Sequence, residues 1–314
     1  MSASPAAWPR VDVAGWADTR DALQLRLQAI GKVVLANEPL VNHWWNIPLH
    51  LTARGMVTPL SPHPSGDALQ IEVDLVDHRV AVHTASGGRE HIPLEPESSA
   101  AFTSALSEAL ERAGVPTAIW TMPVEIPGAV DMASDDAPRP YDAEAVTRFW
   151  RALVRMERVF KGFRAAFWGK ASPIHVFWGS MDLAYTRFSG RTAPLHPGGA
   201  PNCGPHVMHE AYSHEVSSCG YWPGGPGEDG TFYAYAYPDP PGYRDARVGP
   251  GAARWDDGLS EFVLPYEDVR SAAAPDAALM EFLRTTYEAA ADAARWPRGE
   301  LERPLPPTPG QPPP

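Results

Sequence analysis

One pattern is written twice along this chain. The first copy runs DALQLRLQAIGK and then VNHWWNIPLHLTARGMVTPL; the second runs EAVTRFWRALVRMERVFKGFRAAFWGK and then SPIHVFWGSMDLAYTRFSGRTAPL. Gly31-Lys32 aligns with Gly169-Lys170, and His43-Trp44-Trp45 with His175-Val176-Phe177-Trp178. Gly55-x-x-x-Pro59-Leu60 aligns with Gly190-x-x-x-Pro194-Leu195 in the same order. Further on, EHIPLEPESSAAFTSALSEALERAG parallels EFVLPYEDVRSAAAPDAALMEFLRTTYEAAADAA, a strand end running into a helix. A repeat limits a fold more than local propensity does, because each copy must supply the same elements. The expectation is a tandem duplication packed as a pseudo-twofold pair.

Local patterning agrees on the element types. Leu23, Leu27 and Ile30 recur at helical spacing, with Gly31 as the expected C-terminal stop. Phe149, Leu153, Met156, Phe160 and Phe163 recur likewise before Gly169. Leu69, Ile71, Val73 and Leu75 alternate with polar neighbours, as a half-buried strand requires, and RVAVHT and REHIPL follow across turn signals. HEVSSCGYW, TFYAYAYP and EFVLPY predict the corresponding meander of the second half. Each half is therefore expected to be an antiparallel β-meander covered by helices, giving an α+β fold. The expected divisions are residues 1–122, a Pro-rich and acidic connecting loop at 123–145, residues 146–300, and a disordered Pro-rich tail at 301–314.

Charge removes several function classes. The 314 residues carry a formal net charge of −12, the wrong sign for displacing phosphate counterions or docking on anionic lipid, so neither nucleic acid nor membrane is an expected partner. No run approaches the roughly 20 apolar residues of a membrane span. The opening MSASPAAWPRVDVAGWADTRD lacks a basic flank before an apolar core. With only Cys203 and Cys219 available for disulfides, a cytoplasmic location is expected. Basic residues are lopsided: 23 are Arg and three are Lys, at 32, 161 and 170.

The segments VNHWWNIPLHLTARG, TMPVEIP, FWGKASPIHVFWGSMDLAYTRFSGR, HEAYSHEV and GYWPGG are long and specific. On them the chain resembles, over nearly its whole length outside the tail, an uncharacterised bacterial family classed as a domain of unknown function. That resemblance implies no activity, cofactor or catalytic residue.

Four groups of residues carry candidate chemistry. His206, His209, Glu210, His214 and Glu215 form the densest polar cluster, yet its spacing is not the His-Glu-x-x-His of a zinc helix, leaving His209, His214 and Glu215 as weak metal candidates against a solvated loop. In the second group, His175 is a candidate general base oriented by Asp182, with Arg187 or Lys170 holding an anionic group; an internal Asp182–Arg187 ion pair is the structural alternative. Tyr233, Tyr235 and Tyr237 share one strand face, which is either the wall of a cavity with Trp178 and Trp222, the wet face of the sheet or an interface with the other half. Lys32 and Lys170 follow a glycine in each copy, either because a cation suits the negative end of a helix that glycine ends, or because a compact ammonium is wanted that a guanidinium cannot replace.

No phosphate loop, dinucleotide fingerprint or nucleophile elbow is present, and no cofactor is implied. The expected function is binding of a small polar or anionic molecule in a cleft of the second half, with His175, Asp182, His214 and Glu215 as catalytic candidates should the protein be an enzyme. The alternatives are a non-catalytic interaction module and a metal-dependent hydrolase. Oligomeric state is left open.

Overall fold

The computed structural model describes residues 7–11, 13–225 and 227–304. Among them are two antiparallel sheets of six strands each and seven α-helices, an α+β architecture. The long helix α1 (Val13–Asn37) leads into a 3-10 turn at Asn42–Trp44. The first sheet follows, built from β1 (His50–Leu51), β2 (Gly55–Val57), β3 (Ser61–Pro62), β4 (Ala68–Asp74), β5 (Arg79–Thr84) and β6 (Arg89–Pro93). Its order is β1-β2-β4-β5-β6, with β3 also on β4. Helix α2 (Ser99–Arg112) starts at the Ser98 cap, whose side chain accepts from the Ala101 N–H. Residues 113–142 then hold no helix or strand.

Helix α3 (Ala143–Ala165) opens the second half, capped by Asp142. The second sheet contains β7 (His175–Phe177), β8 (Asp182–Thr192), β9 (His214–Trp222), β10 (Thr231–Tyr237), β11 (Arg254–Asp256) and β12 (Glu261–Pro265), in the order β11-β12-β10-β9-β8-β7. Helix α4 (Pro205–Ala211) interrupts the β8–β9 connection; α5 (Tyr266–Arg270), α6 (Pro275–Ala293) and α7 (Arg298–Leu301) close the chain. Beyond α7, Glu302 bridges to Phe167 and the Arg303 N–H donates to the Ala166 carbonyl. Residues 305–314 of the expected tail lie outside the described residues. No described helix is long and apolar enough to cross a membrane.

The period-two strands behave as their patterns require. Leu69, Ile71 and Val73 point into the core from β4, and Phe232 and Ala234 do so from β10. Phe149, Leu153, Met156, Phe160 and Phe163 are all buried along α3. One continuous apolar cluster runs from Trp8 to Trp296 through both halves. The two sheets also touch, since Leu49 and Val176 exchange backbone hydrogen bonds of 2.9 and 2.8 Å.

The glycine stops expected from the sequence are corrected. Gly31 ends nothing, because α1 continues six residues further to Asn37, and α3 ends at Ala165, before Gly169. Lys32 therefore lies inside a helix and Lys170 in a loop, so the Gly-Lys pairs are not structurally equivalent. The residue at 31 is small for a packing reason: a Cβ there would come within 2.3 Å of the Trp178 ring. Helix α1 is buried on several sides, including its polar Arg26, Gln28 and Lys32, so amphipathic spacing marks only part of its covered surface.

Gly31→Ala ordinarily favours an exposed helix by about 1 kcal/mol. Here the added methyl must displace the buried Trp178 indole, and we expect a net loss of about 1–3 kcal/mol. Urea unfolding measures it; an unchanged or raised midpoint would contradict the packing of Trp178 on α1.

Candidate functional site

The open face of the second sheet is where polar groups gather. Helices α3 and α6 cover one face, while Tyr233 and Tyr235 of β10 stand on the other, with their rings 6.0 Å apart and nearly parallel. In the β10–β9–β8 register, Tyr233 pairs with Gly220, which pairs with Ala184. These small residues let the tyrosine lie across β9. Its hydroxyl donates to Asp182 Oδ2 at 2.6 Å, and a Cβ on Gly220 would sit 2.3 Å from that hydroxyl. Along the same face Tyr235 bonds to Tyr212 at 2.8 Å and Thr186 to Ser218 at 2.9 Å.

A second carboxylate enters from the connecting segment. Glu125 Oε2 accepts from Ser180 Oγ at 2.5 Å, and its carboxyl rests against Gly179, where any Cβ would come within 2.4 Å of it. Burial pushes Asp182 up to about 7, with the Glu125 charge adding and the Tyr233 hydroxyl opposing. Glu125 is raised by burial against the Ser180 hydrogen bond. Glu261, at the start of β12, is raised to about 7 by burial together with the charges of Asp182 and Asp256. These are acids that lack a cation.

The cover is made from both halves. His43 and Trp44 both adopt left-handed backbone, with φ of 60° and 62°, a cost of about 1–3 kcal/mol each that surrounding contacts must sustain. Those contacts come from α4: the His43 N–H donates to Glu210 Oε1 at 2.9 Å and Trp44 Nε1 to the Val207 carbonyl at 2.9 Å. His43 Nδ1 faces the carbonyls of Glu210 and Ala211, which only accept, so Nδ1 carries the proton. Nε2 then accepts from Lys170 Nζ at 2.7 Å. Burial and the Lys170 charge lower the His43 pKa, consistent with a neutral ring. Floor and cover enclose about 440 Å³, walled by Trp44, Trp45, Phe177 and Phe188 as well as the polar groups above.

The sequence-derived candidates are dispersed. Asp182, Tyr233 and Tyr235 line this cavity, and Lys170 sits at its edge over the Trp45 and Phe188 rings. Trp222 lines a separate cavity of about 560 Å³ with Arg20 and Gln24, and Trp178 lines another with Lys32. His175 is buried against Phe177 and held down to about 3 by desolvation and His50; Asp182 bonds Tyr233 instead of orienting it. Arg187 is five residues from Asp182 on one strand and therefore on the opposite face. It stacks on Phe163 and Tyr287 and donates to the Phe163 carbonyl, so the expected ion pair is absent.

The histidine cluster splits the same way. His209 lies on α4, His214 packs edge-on to His43, and Glu215 pairs with Ser189 and Arg191 beside a different cavity. Among the described residues no three His, Cys, Asp or Glu side chains are placed to hold a metal ion. Sequence reasoning missed Glu125, Glu261, His43 and Tyr212. For Glu125 a signal existed: a lone carboxylate between prolines in TMPVEIP.

The chain belongs to DUF5996, a family of unknown function, whose model matches residues 8–303. No curated protein and no solved structure matches it.

Two outcomes test the geometry. Gly220→Ala should displace Tyr233 from Asp182 and destabilise by about 1–3 kcal/mol in urea unfolding; an unchanged midpoint would contradict the crossing. The raised acids also set a sign. Between their ordinary range near 4 and about 7, the folded protein holds protons that the unfolded chain has released. Stability from these groups is thus present at acid pH and lost as pH rises through 7. Asp182→Asn should flatten the fall in Tm between about pH 5 and 8, while an unaltered slope would show that Asp182 titrates normally.

Proposed function

We propose that this chain binds a small molecule bearing a protonated amine, with the ammonium group at Asp182 and Glu125. The observation that carries this reading is the charge of the cavity wall: two desolvated carboxyls, no lysine or arginine among the lining residues, and a neutral His43. An incoming cation supplies the missing counter-charge, and the faces of Trp44, Trp45, Tyr233 and Tyr235 suit an ammonium ion or its aromatic substituent. About 440 Å³ suits a ligand of small-molecule size. The wall charge favours a cation over the anionic ligand expected from the sequence.

A specific observation also favours an acid–base enzyme. Asp182 is pushed up to about 7 inside this cavity, where a carboxylate is suited to accept a proton from bound substrate. In that reading Asp182 is the base and Glu125 the second acid. As for ancestry, we infer a duplication from the antiparallel Leu49–Val176 bridge, which joins the residue before the leading strand of the first sheet to the leading strand of the second. Superposing β1 on β7 and following strand order tests it: a half-turn relation supports the duplication and a scrambled order ends it.

Calorimetry with phenethylamine, benzyltrimethylammonium and phenylacetate tests the ligand class. The two cations should bind and the carboxylate should not. Affinity should rise from about pH 5.5 to 8 as Asp182 ionises, with buffer-dependent heats reporting proton release. Asp182→Asn should weaken cation binding about tenfold, or about 1.4 kcal/mol. Binding of phenylacetate alone, or indifference to Asp182→Asn, would overturn the proposal.

A further inference from the structure

We propose that Lys32 is a carbonyl-reactive amine, able to form an imine with an apolar or aromatic aldehyde or ketone held in the cavity beside α1. This cavity, of about 280 Å³, is walled mainly by Leu35, Ile47, Trp120, Phe177 and Trp178. It is separate from the Tyr233–Asp182 cavity, although Trp44, Ile47, Glu125, Phe177 and Val207 border both.

The amine stands out because it is unpaired. Lys32 is 2% exposed and its Nζ has no hydrogen-bond partner. An ammonium with neither water nor carboxylate is costly to keep in such a place. What surrounds it is aromatic: Nζ lies 4.5 Å from the Trp120 ring centre and 5.9 Å from that of Trp178. Burial lowers its pKa to about 8, with weaker opposing effects from Cys203 and Asp131. A neutral amine has a free electron pair, which arginine does not offer at any accessible pH. This chain uses arginine for nearly all its other cations.

The step balances without an added oxidant or reductant. The neutral Lys32 nitrogen attacks the carbonyl carbon; the oxygen takes a proton from an acid and the nitrogen returns one to it, giving a carbinolamine. Its hydroxyl then leaves as water with the remaining nitrogen proton, so that C–O breaks as C=N forms. Glu125, which lines the same cavity and is raised by burial, is the acid proposed to supply that proton. Access requires Trp120 to move from above Nζ. Its indole is 59% exposed, so displacement toward solvent costs less than displacing the buried Trp178.

The test is reductive trapping. Full-length protein is incubated at pH 8 with 2-naphthaldehyde below stoichiometric amounts and cyanoborohydride, then mapped by peptide mass spectrometry. Lys32 should be labelled at least about tenfold faster than Lys161, an exposed lysine paired with Glu157, because burial leaves much of the Lys32 amine unprotonated at this pH. Trp120→Ala should speed labelling further. Lys32→Arg should abolish the fast phase and leave the slow labelling of other amines. If Lys32→Arg does not fold, wild-type site mapping and Trp120→Ala still decide the matter. Equal labelling of Lys32 and Lys161, or no acceleration in Trp120→Ala, would overturn the proposal. Amine binding at Asp182 is read by calorimetry, so either proposal can fail while the other stands.

Discussion

Five consecutive residues, Trp178 to Asp182, hold the two halves in register. The Trp178 ring lies on Gly31 and its Nε1 donates to the Ile47 carbonyl at 3.1 Å. The Gly179 carbonyl accepts from Gln24 at 2.6 Å and Gln28 at 3.0 Å, both on α1. The absent side chain of Gly179 leaves room for Glu125, which Ser180 bonds. Met181 takes a left-handed φ of 59°, and Asp182 starts β8 bonded to Tyr233. A shift of this turn would therefore disturb the seat of α1, the position of Glu125 and the floor of the cavity together. Polar satisfaction is the constraint: buried Gln28 must meet carbonyls, and the turn presents them.

The same economy explains why the cavity is electrostatically incomplete. Elsewhere, Lys32 apart, buried cations find carbonyls, carboxylates or aromatic faces. Arg20 reaches the Gly225 carbonyl at 2.8 Å and Asp21 at 2.7 Å, and Arg187 has a carbonyl and aromatic faces. Asp74 lies among Arg54, Arg79 and two backbone N–H donors, which hold its carboxyl below the ordinary range. Asp182 and Glu125 accept from the hydroxyls of Tyr233 and Ser180, no cation pairs with Asp182, Glu125 or Glu261, and burial raises all three. A fold that matches its buried arginines and Asp74 but leaves Asp182 and Glu125 without a cation has an unbalanced cavity wall, the feature on which the proposed cation binding rests.

Much of the architecture was legible because it rests on local periodicity. Alternation at Leu69 through Val73 and the split of Tyr233 and Tyr235 from Phe232 and Ala234 follow from strand geometry alone. Gly31 was misread because glycine after a helical run signals a stop as readily as a close crossing, and only the distant Trp178 decides between them. Asp182 and Arg187 were separable on sequence grounds, since an odd spacing puts strand residues on opposite faces. His43-Trp44 was not, because two left-handed non-glycine residues are sustained by α4, some 160 residues later. Helix α4 itself is only seven residues long, too short for periodicity to show, and it turns the open face of the sheet into a partly roofed cavity.

The three lysines show how environment, rather than repeat position, gives a residue type its meaning. Lys161 is exposed and pairs with Glu157 one turn away, a role arginine would fill. Lys170 donates from a compact ammonium into His43 Nε2 while lying over two rings; a planar guanidinium would need more room and would present several donors to one acceptor. Lys32 is caged by indoles with nothing to donate to. An arginine there would have to keep its charge unpaired in an apolar enclosure, whereas lysine can relieve that cost by losing its proton. The correspondence of Lys32 and Lys170 in sequence does not survive in structure, one being in a helix and the other in a loop. Yet both occupy places where the chemistry of a small amine differs most from that of arginine, and that difference accounts for lysine at these positions without any appeal to a shared register.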